Sequence, residues 1–189
     1  MSNESEARDK YNAALRAGKK QYKDDIHNGR YPYLQVLDEI LDTNMIAGQM
    51  PLGLQEIPAK MIVGTKTAGR TTAFASNYMP LLPDSSEFGT KWMQLCTAHL
   101  SDEGIRDPVK CYEYLGRFYI AEGNKRVSVL KSYGSPSIPA YVTRLVPAYS
   151  DDEDIKNYYE FMQYYPLTGL YQLKFTQPGS FPKLQTALG

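Results

Sequence analysis

Tyr119–Gly134 reads YIAEGNKRVSVLKSYG, and the interpretation of this stretch decides the fold. An alternating run meets a glycine, then two adjacent cations, then an apolar helical pattern closed by a second glycine. The pattern predicts strand, loop and helix in succession. Gly123 permits a tight turn, Asn124 is placed to cap the helix, and Gly134 is placed to end it. Lys125 and Arg126 then fall in the first helical turn, where the dipole disfavours cations. An anion seated on the free N–H groups of that turn resolves the conflict. Lys125 would add a mobile point charge and Arg126 a planar fork for phosphate oxygens. Glu122, at the strand end, is the candidate to hold a metal ion beside those phosphates or to accept a proton. The same residues also read as an ordinary turn and a solvated helix start, with Val127, Val129 and Leu130 packing inward.

Working outward, residues 109–112 and 117–121 read as two short strands joined by a turn at Leu115-Gly116. SIPAYVTRLVP, residues 137–147, is a further strand. Upstream, KMIVG has strand character after Pro58 interrupts any helix, and TKTAGRTTAF is a polar loop. Its GTKTAGR segment lacks the P-loop spacing. It reads as a solvated turn, or as a lid that brings Lys66 and Arg70 to a phosphate. EFGTKWMQLCTAHL is an amphipathic helix with Phe88, Trp92, Leu95, Cys96 and His99 near one face.

Two helices are expected before this core. Residues 4–27 place Ala7, Tyr11, Ala14, Leu15 and Tyr22 on one stripe. After the NGRYP break, YLQVLDEILD turns Leu34, Leu37, Ile40 and Leu41 inward, giving a helical hairpin. After the core, DDEDIKNYYEFMQYY begins with acids, as a helix start should. Its tyrosines would form a core with polar rims or stack on bases, the first reading being preferred. LYQLKFTQPGSFPKLQTALG suggests a short strand, a Gly/Pro turn and part of a helix, with a further domain expected beyond it.

The 189-residue chain is 42% apolar, enough for a core, and no run is apolar for long enough to cross a bilayer. The first residues lack the apolar segment of a secretory signal, which favours a cytoplasmic protein. Two cysteines, Cys96 and Cys111, and two distant histidines, His27 and His99, give neither a disulfide framework nor zinc-ligand spacing. The net charge is zero, distributed as −1 over residues 1–50, +3 over 51–147 and −2 over 148–189. A mildly basic middle suits a small phosphate ligand better than duplex DNA.

The run EGIRDPVKCYEYLGRFYIAEGNKRVSVLKSYGSPSIPAYV resembles the core of the ParB N-terminal/sulfiredoxin superfamily. A hydrophobic-Pro-hydrophobic strand is followed by a strand reading into glycine, a basic residue and arginine, then a helix, then a strand like IPAYV. IPAKMIVGTKTAGR is similar to the family's first strand and its polar loop ending in arginine. The resemblance covers residues 54–146. It implies a nucleotide phosphate site binding CTP or ATP with magnesium. Gly123, Asn124, Lys125 and Arg126 would cradle the phosphates, Glu122 would stand near the metal or attacking group, and Arg70, Lys66 and Thr65 would close from the first loop. Departures limit what carries over. Sulfiredoxins have cysteine where this chain has Asn124, so sulfinic acid reduction is not implied. ParB proteins have arginine at Lys125 and glutamine at Asp107, and no helix-turn-helix module follows.

The expected fold is therefore α+β: a small mixed β-sheet of the ParB/sulfiredoxin type with an N-terminal helical hairpin and a C-terminal helix. The expected divisions are an N-terminal extension (1–50), the core (51–147) and a C-terminal extension (148–189). The expected function is nucleotide or phosphate binding, with slow nucleotide hydrolysis or phosphotransfer. A non-catalytic sensor or interaction module, and a DNA-binding or nuclease domain, remain the alternatives.

Overall fold

The computed structural model describes residues 3–102, 104–171 and 173–188. It is a mixed α+β fold built on a six-stranded sheet. The strands are β1 (Gln35–Val36), β2 (Ile46–Pro58), β3 (Ile62–Thr65), β4 (Val109–Tyr114), β5 (Arg117–Glu122) and β6 (Ser137–Pro147), in the order β1-β3-β5-β4-β6-β2. β1, β3 and β5 run parallel, β4 is antiparallel to β5 and parallel to β6, and β2 closes the other edge antiparallel to β6. The helices are α1 (Asn3–His27), α2 (Leu37–Ile40), α3 (Glu87–Leu100), α4 (Asn124–Ser132), α5 (Glu153–Thr168) and α6 (Ser180–Leu188).

Strand alternation divides the side chains between the two faces of the sheet. On β5, Phe118 and Ile120 enter the main core, while Tyr119 joins a small cluster with Leu37 and Leu145. The main core is closed by three elements that pack on one another. Tyr11 of α1 meets Trp92 of α3 edge-on at 5.1 Å. Trp92 Nε1 donates to Ser128 Oγ of α4 at 2.8 Å. Gly18 of α1 lies so close to the Met79–Pro80 backbone that a Cβ there would collide with the Pro80 carbonyl. A buried ion pair joins β4 to β6: Arg144 Nε donates to Glu113 Oε2 at 2.6 Å, between residues in register. Tyr158 of α5 donates its hydroxyl to the same carboxylate.

The N-terminal helical hairpin does not form. Leu34 and Leu37 are buried as expected, but Val36 is extended (φ −111°, ψ 115°) and pairs with Thr65 of β3. The sheet edge offers hydrogen bonds to a β-branched residue that prefers them, so α2 is one turn only and Ile40 points outward. β2 was not expected at its observed length, and the division at residue 50 falls within it. Its Gly48, Pro51 and Gly53 obscure a strand signal, yet an edge strand tolerates them at irregular register. The strand expected after Thr168 does not form over Leu173–Phe175, and Gln172 lies outside the described residues. The helix expected from the acidic start forms as α5, and the part-helix expected in the tail forms as α6. Among the described residues no helix is long and apolar enough to cross a membrane.

Candidate functional site

Parallel strands β3 and β5 end side by side, with Thr65 opposite Ile120. Beyond their ends the 66–74 loop, α3 and the start of α4 enclose a cavity of about 840 Å³. That volume falls within the usual range for small-molecule sites. Seven of the eight candidate residues line it: Thr65, Arg70, Glu122, Gly123, Asn124, Lys125 and Arg126. Residues separated by more than 50 positions in sequence thus meet at one place.

Gly123 precedes α4 in a left-handed conformation (φ 107°, ψ 22°), and a Cβ there would stand 2.7 Å from Val109 Cγ1. No side chain caps the helix. Its first-turn N–H groups have no intrahelical acceptors, the position at which a helix can offer donors to an anion.

Asn124 is not the cap that was expected. Its Nδ2 donates to Thr65 Oγ1 at 3.2 Å, and its Oδ1 accepts from the Tyr78 hydroxyl at 3.1 Å. Thr65 in turn donates to the Ile120 carbonyl at 3.1 Å. Both side chains are thus committed to fastening α4 onto β3 and β5, and their part in the site is to position the helix. Tyr78 also bonds the Gly64 carbonyl, and Phe74 packs edge-on against Phe88 at 5.0 Å. These contacts anchor the loop that carries Arg70. Lys66 turns away from the cavity to the surface, where Nζ meets Asp38 Oδ1 at 2.9 Å. Its expected place beside the phosphates is not observed, because a local ion pair holds it on the α2 side.

The two cations of the motif diverge. Lys125 extends over the Phe88 ring of α3, with Nζ 5.3 Å from its centroid. Arg126 reaches back to donate to the carbonyls of Asp107 and Pro108 at 2.8 and 3.0 Å. Its other terminal nitrogen lies 3.7 Å from Glu122 Oε1. They line the same cavity without forming one clamp.

Near Lys125 the structure brings in a residue that the sequence reading did not single out. Lys91 of α3 lines the cavity and pairs with Glu87 at 2.5 Å. Burial pushes the Lys125 ammonium below its usual range, and the charges of Arg70 and Lys91 push it further. Among the described residues neither Arg70 nor Lys125 forms an ion pair. This wall therefore carries surplus positive charge. Leu34, Phe74, Phe88 and Leu95 supply apolar surface beside it. Nothing in the sequence around Lys91 distinguishes it, since an i,i+4 Glu–Lys pair is what a solvated helix face also shows.

Glu122 is exposed and held below its ordinary carboxylate range, first by Lys110, whose Nζ lies 2.9 Å from Oε2, and also by Arg126. It is an anion at neutral pH. That state suits coordination of a cation or orientation of water better than delivery of a proton. Among the described residues no group of three or more His, Cys, Asp or Glu side chains is arranged to hold a metal ion. Magnesium here would rely on Glu122 and on phosphate oxygens brought by the ligand.

No protein-family model, curated protein or solved structure matches this chain.

Proposed function

We propose that this protein binds a phosphate-bearing ligand, a nucleoside triphosphate in particular, in the cavity at the start of α4. The observation that carries the reading is the surplus of cations around an uncapped helix start: Arg70, Lys91 and Lys125 face it, and the one Glu87 carboxylate that pairs with Lys91 is shared electrostatically among all three. Positive charge in excess of its counter-charge costs free energy, and phosphate oxygens would remove that cost while accepting from the first-turn N–H groups. The apolar surface of Phe74, Phe88 and Leu95 leaves room for a nucleoside. The resemblance of residues 54–146 to ParB and sulfiredoxin proteins supports CTP or ATP with magnesium.

Slow hydrolysis or phosphotransfer would use Glu122 as the carboxylate that holds the cation or orients the attacking oxygen. One observation favours the non-catalytic sensor instead: Glu122 is already occupied by Lys110 and Arg126. Duplex DNA is disfavoured by a net charge of zero and by the concave placement of the cations.

Thermal melting with ATP, CTP and GTP, each with magnesium, tests the binding. At a ligand concentration 100-fold above Kd, Tm should rise by about 5–10 °C. The double variant Lys91→Ala/Lys125→Ala should lose that rise while its own unliganded stability changes by less than about 0.5 kcal/mol. No rise with any of the three nucleotides contradicts the proposal. Nucleotide turnover by the wild type that disappears in Glu122→Gln would separate the enzyme from the sensor.

A further inference from the structure

The loop that brings Arg70 to the cavity folds back on itself at residues 75–79. The Ala75 N–H donates to the Met79 carbonyl at 2.8 Å, and the Tyr78 N–H donates to the Ala75 carbonyl at 2.9 Å. Within this turn Tyr78 adopts a left-handed conformation, φ 69°. That region suits Gly, Asn or Asp and disfavours a bulky side chain, which persists there only where its surroundings hold it. Strain of this kind gathers at functional sites, so the contacts of the tyrosine side chain show what the turn is built to deliver.

Tyr78 is fully buried and is not itself a wall of the cavity. Its hydroxyl hydrogen lies between two acceptors: the Gly64 carbonyl of β3 at 2.5 Å and Oδ1 of Asn124, the first residue of α4, at 3.1 Å. Thr65 Oγ1 takes the Nδ2 end of the same carboxamide. Lys131, seven residues along α4 from Asn124 and so on the same face, lies over the Tyr78 ring with Nζ 4.8 Å from its centroid. Phe74, from the loop, meets that ring at 5.7 Å. One side chain thus touches both halves of the site: the α4 start, with its N–H groups and Lys125, and the loop that supplies Arg70.

We propose that Tyr78 is a positioning residue for the anion site. Its hydroxyl, acting through Asn124, fixes the first turn of α4 against the Arg70 loop so that the N–H groups and the guanidinium face one ligand. The inference rests on the phosphate reading of this cavity. Tyr78 touches no ligand and acts by holding the groups that do.

The test removes the hydroxyl and keeps the ring. Inorganic pyrophosphate is titrated into wild type, Tyr78→Phe, Asn124→Ala and the double variant, each folded, and followed through the backbone amides of Asn124, Lys125 and Arg126. Tyr78→Phe should bind about ten-fold more weakly than wild type, the effect of losing one hydrogen bond that positions the donors. Asn124→Ala should lose a similar factor, and the double variant no more than either single variant, because the two side chains act in series. A hydroxyl with a structural role alone would lower Tm and leave the affinity of the folded protein unchanged. Equal affinity in Tyr78→Phe and wild type overturns the inference and leaves the phosphate reading standing, as do losses that multiply in the double variant. If wild type itself binds no pyrophosphate, the phosphate reading falls and the inference falls with it. Should Tyr78→Phe fail to fold, Asn124→Leu, which breaks the same bond from its other end, takes its place with the same expected loss.

Discussion

Two charged regions of this molecule are built on opposite plans. Between β4 and β6, Glu113 and Arg144 are almost wholly buried, and each charge meets its complement at hydrogen-bond distance. The Glu113 carboxylate also accepts from the Gly116 N–H at 2.8 Å and from Tyr158, and the Arg144 guanidinium lies over the rings of Phe161 and Tyr165. At the start of α4 the cations outnumber the carboxylates and stand open to a cavity, and burial, with Arg70 and Lys91 nearby, lowers the Lys125 ammonium. Charge that is internally matched ties the fold together. Charge in excess at an uncapped helix start is available for a partner, and that contrast is what the proposed phosphate site rests on.

The largest expected effect breaks the matched region. Arg144→Met strands the Glu113 carboxylate, and removing one member of a buried pair costs about 3–5 kcal/mol. Chemical denaturation should show that loss. Replacing both members with apolar residues of similar size should recover most of it. A single variant as stable as wild type would mean that the pair carries little of the fold.

A smaller effect sharpens the comparison through a cation with no ion-pair partner among the described residues. Lys131 of α4 donates to the Ile62 carbonyl at 2.7 Å and lies over the Tyr78 ring. Burial pushes its ammonium down to about 8 from the usual 10.5. Below pH 8 both folded and unfolded chains carry the proton, and the folded state bears the desolvation cost. Between about pH 8 and 10.5 the unfolded chain binds more protons than the folded one, so stability rises with pH through this window. The upper limit of the gain is roughly 3 kcal/mol. Ionisation of other groups is common to wild type and Lys131→Met, so the difference between their denaturation curves isolates it. Wild type should gain on the variant from pH 8 to 10, and a constant difference would contradict the assignment.

What the sequence disclosed was mostly local. The strand, glycine and helix of Tyr119–Gly134 lie next to one another in the chain, and the structure reproduces β5, Gly123 and α4 in that order. The backbone requirement at Gly123 and the apolar stripe of α3 were legible for the same reason. Long-range pairing was not. Val36 became a strand because β3 lay beside it, and β2 follows β6 through Gly48, Pro51 and Gly53 despite its own composition. Within the site, side-chain direction was the illegible part. Lys66 and Lys125 carry the same head group, yet one is drawn out by Asp38 and the other lies over Phe88 beside Arg70 and Lys91. Asn124 has the composition of a cap, but Thr65 and Tyr78 claim its amide. Only the packing of α3 against α4 reveals Lys91.

The central claim is that the surplus cations and the free N–H groups of α4 form one anion site. Titration with inorganic pyrophosphate, followed through the backbone amides of Asn124, Lys125 and Arg126, tests it most directly. The account predicts saturable shifts at those amides, weakened as salt is raised and lost in Lys91→Ala/Lys125→Ala. Amides that stay in place while the anion is added would contradict it.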